Sequence, residues 1–243
     1  MRPAVQALSA YFDVTTFSLP RTPTLDGYLD RVVAALHDAP AERVVVCGVS
    51  FGGIVAAKFA AVHPDRVLAL VLASTPAPGW HLSPRHEMYA RLPWLFGPLF
   101  LIETPWRMRA ELQAAIPDRR GRLRFKLGVL RTAIGAPISF GSMADRARLM
   151  ERVDLRADCG RIGAPTLVVT GEAALDHVVP AEGSSEYARL IPGARTAVLE
   201  RTGHVGTVTR PATFAALVHD FVRDTCGASA IRNEPGHPRS GAA

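Results

Sequence analysis

The sequence predicts an α/β protein built on a mostly parallel, doubly wound sheet of about five strands, with a helical insertion. Three observations predict it. Short β-branched or apolar runs recur at 44–47, 67–72, 166–170 and 195–199, each short enough to be a strand. Helical patterns separate them, the arrangement that a parallel sheet with crossover helices requires. Between the first of these strands and its helix lies Gly48-Val49-Ser50-Phe51-Gly52-Gly53. A Gly-x-Ser-x-Gly pattern at a strand-to-helix turn forces the serine into a strained conformation and projects its hydroxyl above the sheet. Glycines on both sides leave room for the crossing, and the helix N-terminus beneath favours a developing negative charge.

The elements follow in order. Val5, Leu8 and Phe12 mark a first helix over 3–11. The alternating, β-branched stretch 12–17 reads as a strand, and 18–23 as a loop. Thr24 can cap a helix running to Asp38, with Leu25, Leu29, Val32, Val33 and Leu36 on one face and Pro40 beyond it. The 44–47 strand and the Ser50 turn come next, then a small-residue helix ending near His63-Pro64. From 76 to 163 prolines, tryptophans and arginines mix with helical patterns and no strand is evident. The strand at 166–170 is followed by a short helix over 184–191, a last strand, and a last helix over 211–223. The expected organisation is a core of 1–75 and 164–224, a helical cap of 76–163, and a disordered tail of 225–243 rich in Gly, Ser, Pro and Ala.

Composition narrows the function classes. The chain has 243 residues, a net charge of +6 and an apolar fraction of 48%, enough for a real core. Arginine dominates the basic residues, since Lys58 and Lys126 are the only lysines. The excess charge lies in one segment: 81–161 holds 15 basic and 8 acidic residues. No nucleic-acid-reading motif accompanies it, so it reads as a solvated helical surface and no nucleic-acid partner is expected. Cys47, Cys159 and Cys226 are widely spaced and odd in number, which points to no disulfide or metal framework and fits a reducing compartment. Cys47 is expected to be a small core residue in a buried strand. No stretch of about 18 apolar residues and no signal-peptide pattern occurs, so a cytoplasmic location without membrane association is expected. The Gly52-Gly53 pair lacks the spacing of a dinucleotide loop, and no cofactor or metal is expected.

A nucleophilic serine needs a base and a carboxylate that orients the base. His204 is the base candidate, in the loop straight after the last strand and beside Gly203 and Gly206. His37, His63 and His219 fall on helices, His81 and His86 in the insertion, and His177 beside the acid candidate is the one decoy. Asp176, in the loop after the 166–170 strand, is the acid candidate, with Glu172 as competitor nearer the strand end. The loop after 67–72 offers Ser74 and Thr75 but no carboxylate. The order Ser, acid, His, each after a strand, is the order that accompanies a nucleophile elbow.

Five motifs together carry a resemblance: Gly48-Val49-Ser50-Phe51-Gly52-Gly53; His63-Pro64-Asp65-Arg66-Val67; Pro165-Thr166-Leu167-Val168-Val169-Thr170-Gly171-Glu172; Asp176 with Pro180; and Gly203-His204. Over roughly 3–223 the chain resembles the α/β-hydrolase fold superfamily, and within it small cap-bearing serine hydrolases such as esterases, lactonases and haloperoxidase-like enzymes. The resemblance implies a Ser50–Asp176–His204 triad, an acyl-enzyme, the Phe51 N–H in an oxyanion hole, and an ester, thioester or lactone substrate. It implies a small-molecule partner, with a homodimer as the other partner considered. In the cap, Trp80, Trp94, Phe96, Phe100 and Trp106 are read mainly as cap core, with an apolar pocket as the alternative.

Two departures stand out. Ala174 occupies the place where many relatives carry the acid, and the spacing of Asp176 to Pro180 suggests a two-residue insertion. Relatives also have strands and a His-Gly loop before the first helix, the loop supplying a second oxyanion donor. The chain as given opens inside or just after that loop, so Met1 is expected to be an internal methionine of a longer frame. The alternative reading is a catalytically impaired, hydrolase-fold protein with a binding role.

Overall fold

A computed structural model describes residues 2–22, 24–37, 41–135, 139–227 and 230. Its sheet has four parallel strands in the order β1-β2-β3-β4: β1 (Val44–Val49), β2 (Val67–Ala73), β3 (Thr166–Thr170) and β4 (Arg195–Val198). Sequence order and spatial order coincide, so all four carboxyl ends lie on one edge, where open parallel sheets build their sites. β2 and β3 are central and almost wholly buried. Their apolar runs cover both faces, as expected of strands flanked by helices on each side.

The two faces carry separate core clusters. On one, Val67, Leu70, Leu72 and Val168 pack with α2 (Leu25–His37), α3 (Phe51–Val62) and residues of α10 (Ala181–Leu190). On the other, Ala69, Val71, Ala73, Leu167 and Val169 pack with Ala4 of α1 (Arg2–Leu8) and the apolar face of α12 (Pro211–Cys226). From Ala69 to Ala73 the alternation along β2 is the two-residue period of a pleated strand; Val67 falls outside it, where the β1–β2 register shifts between Val44 and Val45. α3 is buried nearly all round, from Gly53 to Ala61, which its run of alanines makes sterically feasible beside the strands.

Between β2 and β3 the described residues contain only helices: α4 (Pro84–Arg91), α5 (Pro93–Arg107), α6 (Arg109–Ala115), α7 (Arg119–Gly135), α8 (Phe140–Arg152) and the single turn α9 (Arg156–Cys159). Ser83 and Ser139 cap α4 and α8, accepting from the N–H groups of His86 and Ser142. A short α11 (Gly206–Thr209) follows the His204 loop. None of the helices among the described residues is long and apolar enough to cross a membrane.

Three expectations are corrected. The stretch 12–17 is not a strand, so the sheet has four strands rather than five. Its alternation is real, but among the described residues β1 pairs only with β2, and 12–17 has no strand beside it. Without a ladder to satisfy its backbone it runs irregularly, and its rings serve as wedges: Phe12 packs on the second core cluster, Phe17 on the first. Cys47 belongs to neither core cluster and its side chain is reached by solvent on the edge strand β1, although the protein around the thiol still pushes its pKa up to about 12. Trp94 and Trp106 are 83% and 73% exposed, so they do not belong to a cap core. They sit on the outer face of α5, a helix interrupted by Pro98 and Pro105 that packs inward on α4 and α8. Phe96 does pack, stacking on Tyr89 at 5.7 Å, while the side chain of Phe100 lies outside the described set. The expected helix end at Asp38 also lies outside the described residues, as does the tail apart from 225–227 and Ala230. Thr225 and Cys226 belong to α12.

Candidate active site

The Ser50 turn is the most constrained point of the backbone. Ser50 has φ 53° and ψ −126°, a left-handed conformation that a non-glycine residue holds only when its surroundings impose it. The restraint comes from the neighbouring strand, since the Ser50 N–H donates to the Ala73 carbonyl at 2.9 Å. From the other side the Gly53 N–H donates to the Ser50 carbonyl at 2.8 Å. Phe51 opens α3, so its N–H lacks an intrahelical acceptor. Its ring rests on Tyr28, with centroids 5.1 Å apart, and the Arg146 guanidinium of α8 lies 5.5 Å above it.

Asp176 and His204 come together from the two following loops. Asp176 is 8% exposed, and its Oδ1 accepts the N–H groups of Val178 at 2.9 Å and Val179 at 2.8 Å. Its other oxygen, Oδ2, lies 3.7 Å from Nδ1 of His204. That separation is longer than a hydrogen bond, and the buried Nδ1 has no partner among the described residues. Burial pushes the Asp176 carboxyl up. The opposing pull of His204 and of the Val179 and Val178 N–H groups is greater, and the carboxyl ends below its ordinary range. Asp176 is therefore an anion facing an imidazole nitrogen, the arrangement that orients a histidine base.

The two loops are stitched by close backbone approach. The Glu172 N–H donates to the Thr202 carbonyl at 2.8 Å. A Cβ on Gly203 would stand 2.7 Å from the Leu175 carbonyl carbon and 2.9 Å from the Asp176 nitrogen, so only glycine fits before His204. Glu172, the competing acid, is occupied elsewhere: its Oε1 accepts the Arg201 N–H at 2.6 Å. His177 is exposed, and it contributes only its carbonyl, which accepts from Arg107 at 3.0 Å. Ser50, Asp176 and His204 thus leave the same edge of the sheet, after β1, β3 and β4. Among the described residues no hydrogen bond joins the Ser50 and His204 side chains.

Sequence reasoning missed Glu111. This α6 residue is 1% exposed, and its Oε1 accepts the Val205 N–H at 2.8 Å. Burial raises its carboxyl above the usual range. The Gly203 and Val205 N–H groups oppose that rise, Asp176 adds to it, and His204 opposes it. One signal was present in the chain: Glu111 is the single acid between Glu103 and Asp118, at helical spacing with Met108, Leu112 and Ala115. Among the described residues no cluster of three or more histidine, cysteine, aspartate or glutamate side chains could hold a metal.

This sheet, elbow and loop order define the α/β-hydrolase class. The chain belongs to the alpha/beta hydrolase family, whose model matches residues 3–217. It is 30% identical over 224 residues to a pimeloyl-acyl-carrier-protein methyl ester esterase of Neisseria meningitidis, covering 86% of this chain and 65% of that protein's length. To the esterase of the same name from Aromatoleum aromaticum it is 29% identical, covering 84% and 82%. Among solved structures, the enol-lactonase of Burkholderia xenovorans LB400 superposes with a TM-score of 0.65 at 25% identity, covering 90% of this chain and 84% of that one.

Proposed function

We propose that the chain is a serine hydrolase of carboxylic esters, lactones or thioesters. The observation that carries this reading is the left-handed Ser50 at the head of α3, on the same sheet edge as the ionised Asp176 and His204. The named activities of the relatives, a methyl ester esterase and an enol-lactonase, support the same bond type.

In this reading Ser50 Oγ attacks the acyl carbon while His204 takes its proton through Nε2. The new C–O bond pushes the carbonyl electrons onto oxygen, and the Phe51 N–H donates to that oxyanion. Collapse expels the alcohol or thiol, which takes the proton back from His204 and leaves an acyl-Ser50 ester. Water, deprotonated by His204, then attacks the acyl carbon, and collapse breaks the bond to Ser50 Oγ, which takes the proton back from His204 as the acid leaves. Asp176 stays ionised throughout and holds the imidazole by Nδ1. The separation of 3.7 Å must close by about 1 Å to make that hydrogen bond, a tightening common when substrate enters.

Labelling with a fluorophosphonate probe, wild type against Ser50→Ala, tests the reading. Ser50-dependent labelling is expected, together with turnover of short p-nitrophenyl esters. Folded wild-type protein that labels no faster than Ser50→Ala would leave the fold a binding scaffold.

A further inference from the structure

The segment 107–114 touches both loops of the proposed active site at three points. Arg107 donates to the carbonyl of His177, next to Asp176, at 3.0 Å. Arg201 donates from the His204 loop to the carbonyl of Ala114 at 3.0 Å. Between these, Glu111 accepts the N–H of Val205, the residue after His204. The outer contacts are made by the half-buried Arg107 and the exposed Arg201. The middle one is a buried carboxyl on the shared face of α6, beside the buried Leu112 and Ala115.

We propose that Glu111 is a positioning residue for His204, reaching it from the helical segment. It fixes the loop by accepting the Val205 N–H and adds a second carboxylate beside the imidazole. The inference rests on the proposed hydrolase reading. Burying a carboxyl this fully is costly unless it serves its neighbours. An apolar residue here would complete the Leu112–Ala115 face and leave the Val205 N–H without its acceptor. The charged groups that act on Glu111 are Asp176 on the loop after β3 and His204 on the loop after β4; Arg201 meets α6 at the Ala114 carbonyl, and Arg107 and Arg109 precede Glu111 in the chain. α11 brings none. When ionised, Glu111 favours the imidazolium that forms as Ser50 gives up its proton.

Two variants separate its roles. Glu111→Gln keeps an acceptor for the Val205 N–H but removes the charge, whereas Glu111→Leu removes both at similar size. Turnover of p-nitrophenyl butyrate, the pH profile of kcat/KM, and the His204 ring titration by nitrogen-15 NMR are followed in each. Glu111→Leu is expected to lower kcat roughly 10- to 100-fold with KM little changed, the scale of a displaced catalytic group. Glu111→Gln should retain most of the rate at its optimum, with its acidic limb and the His204 titration moved to lower pH. An unmoved His204 titration in both variants would overturn the proposal, as would equal losses in kcat and in stability with an unchanged profile. The NMR titration needs no turnover, so failure of Ser50-dependent labelling would refute the hydrolase reading while Glu111 is still tested.

Discussion

A Cβ on Gly48 would stand 2.6 Å from the Cα of Gly53 and 2.7 Å from the carbonyl carbon of Gly52, so strand and helix meet there with no space for a side chain. The other glycine of the pattern behaves differently, since a Cβ on Gly52 meets nothing within 4 Å. The motif treats its glycines as equivalent, and the geometry does not. Gly48→Ala has to move backbone, and is expected to destabilise the fold by about 2 kcal/mol or more, the range of overpacking at a rigid site. Gly52→Ala sits in a helix with open space, where alanine is the better helix former, and is expected to be neutral or stabilising by about 0.5 to 1 kcal/mol. Urea unfolding of the two variants checks the asymmetry, and equal losses would contradict it.

Asp176 and Glu111 give stability opposite slopes with pH. The folded carboxyl of Asp176 is held below its ordinary value. Its contribution is therefore present above the unfolded value of about 3.9 and lost as pH falls through the folded one. The folded carboxyl of Glu111 is raised. Its contribution is full below the unfolded value of about 4.3 and is lost as pH rises through the folded one. The gap between wild type and Asp176→Asn should shrink toward acid, and that between wild type and Glu111→Gln should shrink as pH climbs above about 4.3. Because Asp176 helps to raise Glu111, the second slope should be shallower in an Asp176→Asn background. Denaturant midpoints across a pH series measure all three.

Loss of the Asp176 charge should also cost far more activity than stability at neutral pH. Its role in the proposed mechanism is to hold one tautomer of His204, which an amide oxygen or nitrogen at the same place does not secure. Asp176→Asn is expected to lower kcat by roughly 10⁴-fold. A drop under tenfold would move the acid's role to Glu172 or Glu111.

Ser184 ties α10 to the end of β2. It is 1% exposed, and its hydroxyl donates to the Thr75 carbonyl at 2.6 Å, across 109 residues of sequence. Ser184→Ala leaves a buried carbonyl without its donor and should cost about 1 to 2 kcal/mol. Its neighbour Ser185 donates only to Ala181 within the same helix at 2.9 Å, so Ser185→Ala should change stability by less than about 0.5 kcal/mol. The difference between the two denaturation midpoints is the measurement.

How much of this was legible in the sequence depends on the distance over which each feature is determined. β2 and β3 were readable because burial on both faces writes itself as an unbroken apolar run, and β1, an edge strand, because its run of valines leads straight into the Ser50 turn. Ser50, Asp176 and His204 could be proposed from the sequence because strand ends, turns and glycines mark their loops locally. The stretch 12–17 has the same local signal as a strand but no neighbour to pair with, and no local pattern encodes a neighbour. Glu111 meets Val205 across 94 residues, and its burial follows from how α6 packs on the His204 loop. The outward turn of Trp94 and Trp106 is likewise a matter of which face of α5 meets α4 and α8.

Tyr187 carries the last prediction. It is fully buried in the first core cluster, and its hydroxyl has no hydrogen-bond partner among the described residues. Burial, with Cys159 and Glu186 nearby, raises the phenol well above its ordinary value, so the group stays neutral. A neutral hydroxyl that is hydrated in the unfolded chain and unpaired in the folded one opposes folding. Tyr187→Phe keeps the ring and its packing while removing that oxygen. The expected gain is about 1 kcal/mol, the low end of the cost of an unsatisfied buried group, because the space vacated is a single atom. The urea midpoint should rise with an unchanged slope. A fall of about 1 kcal/mol would mean that the hydroxyl is satisfied in solution and belongs to the core's polar framework.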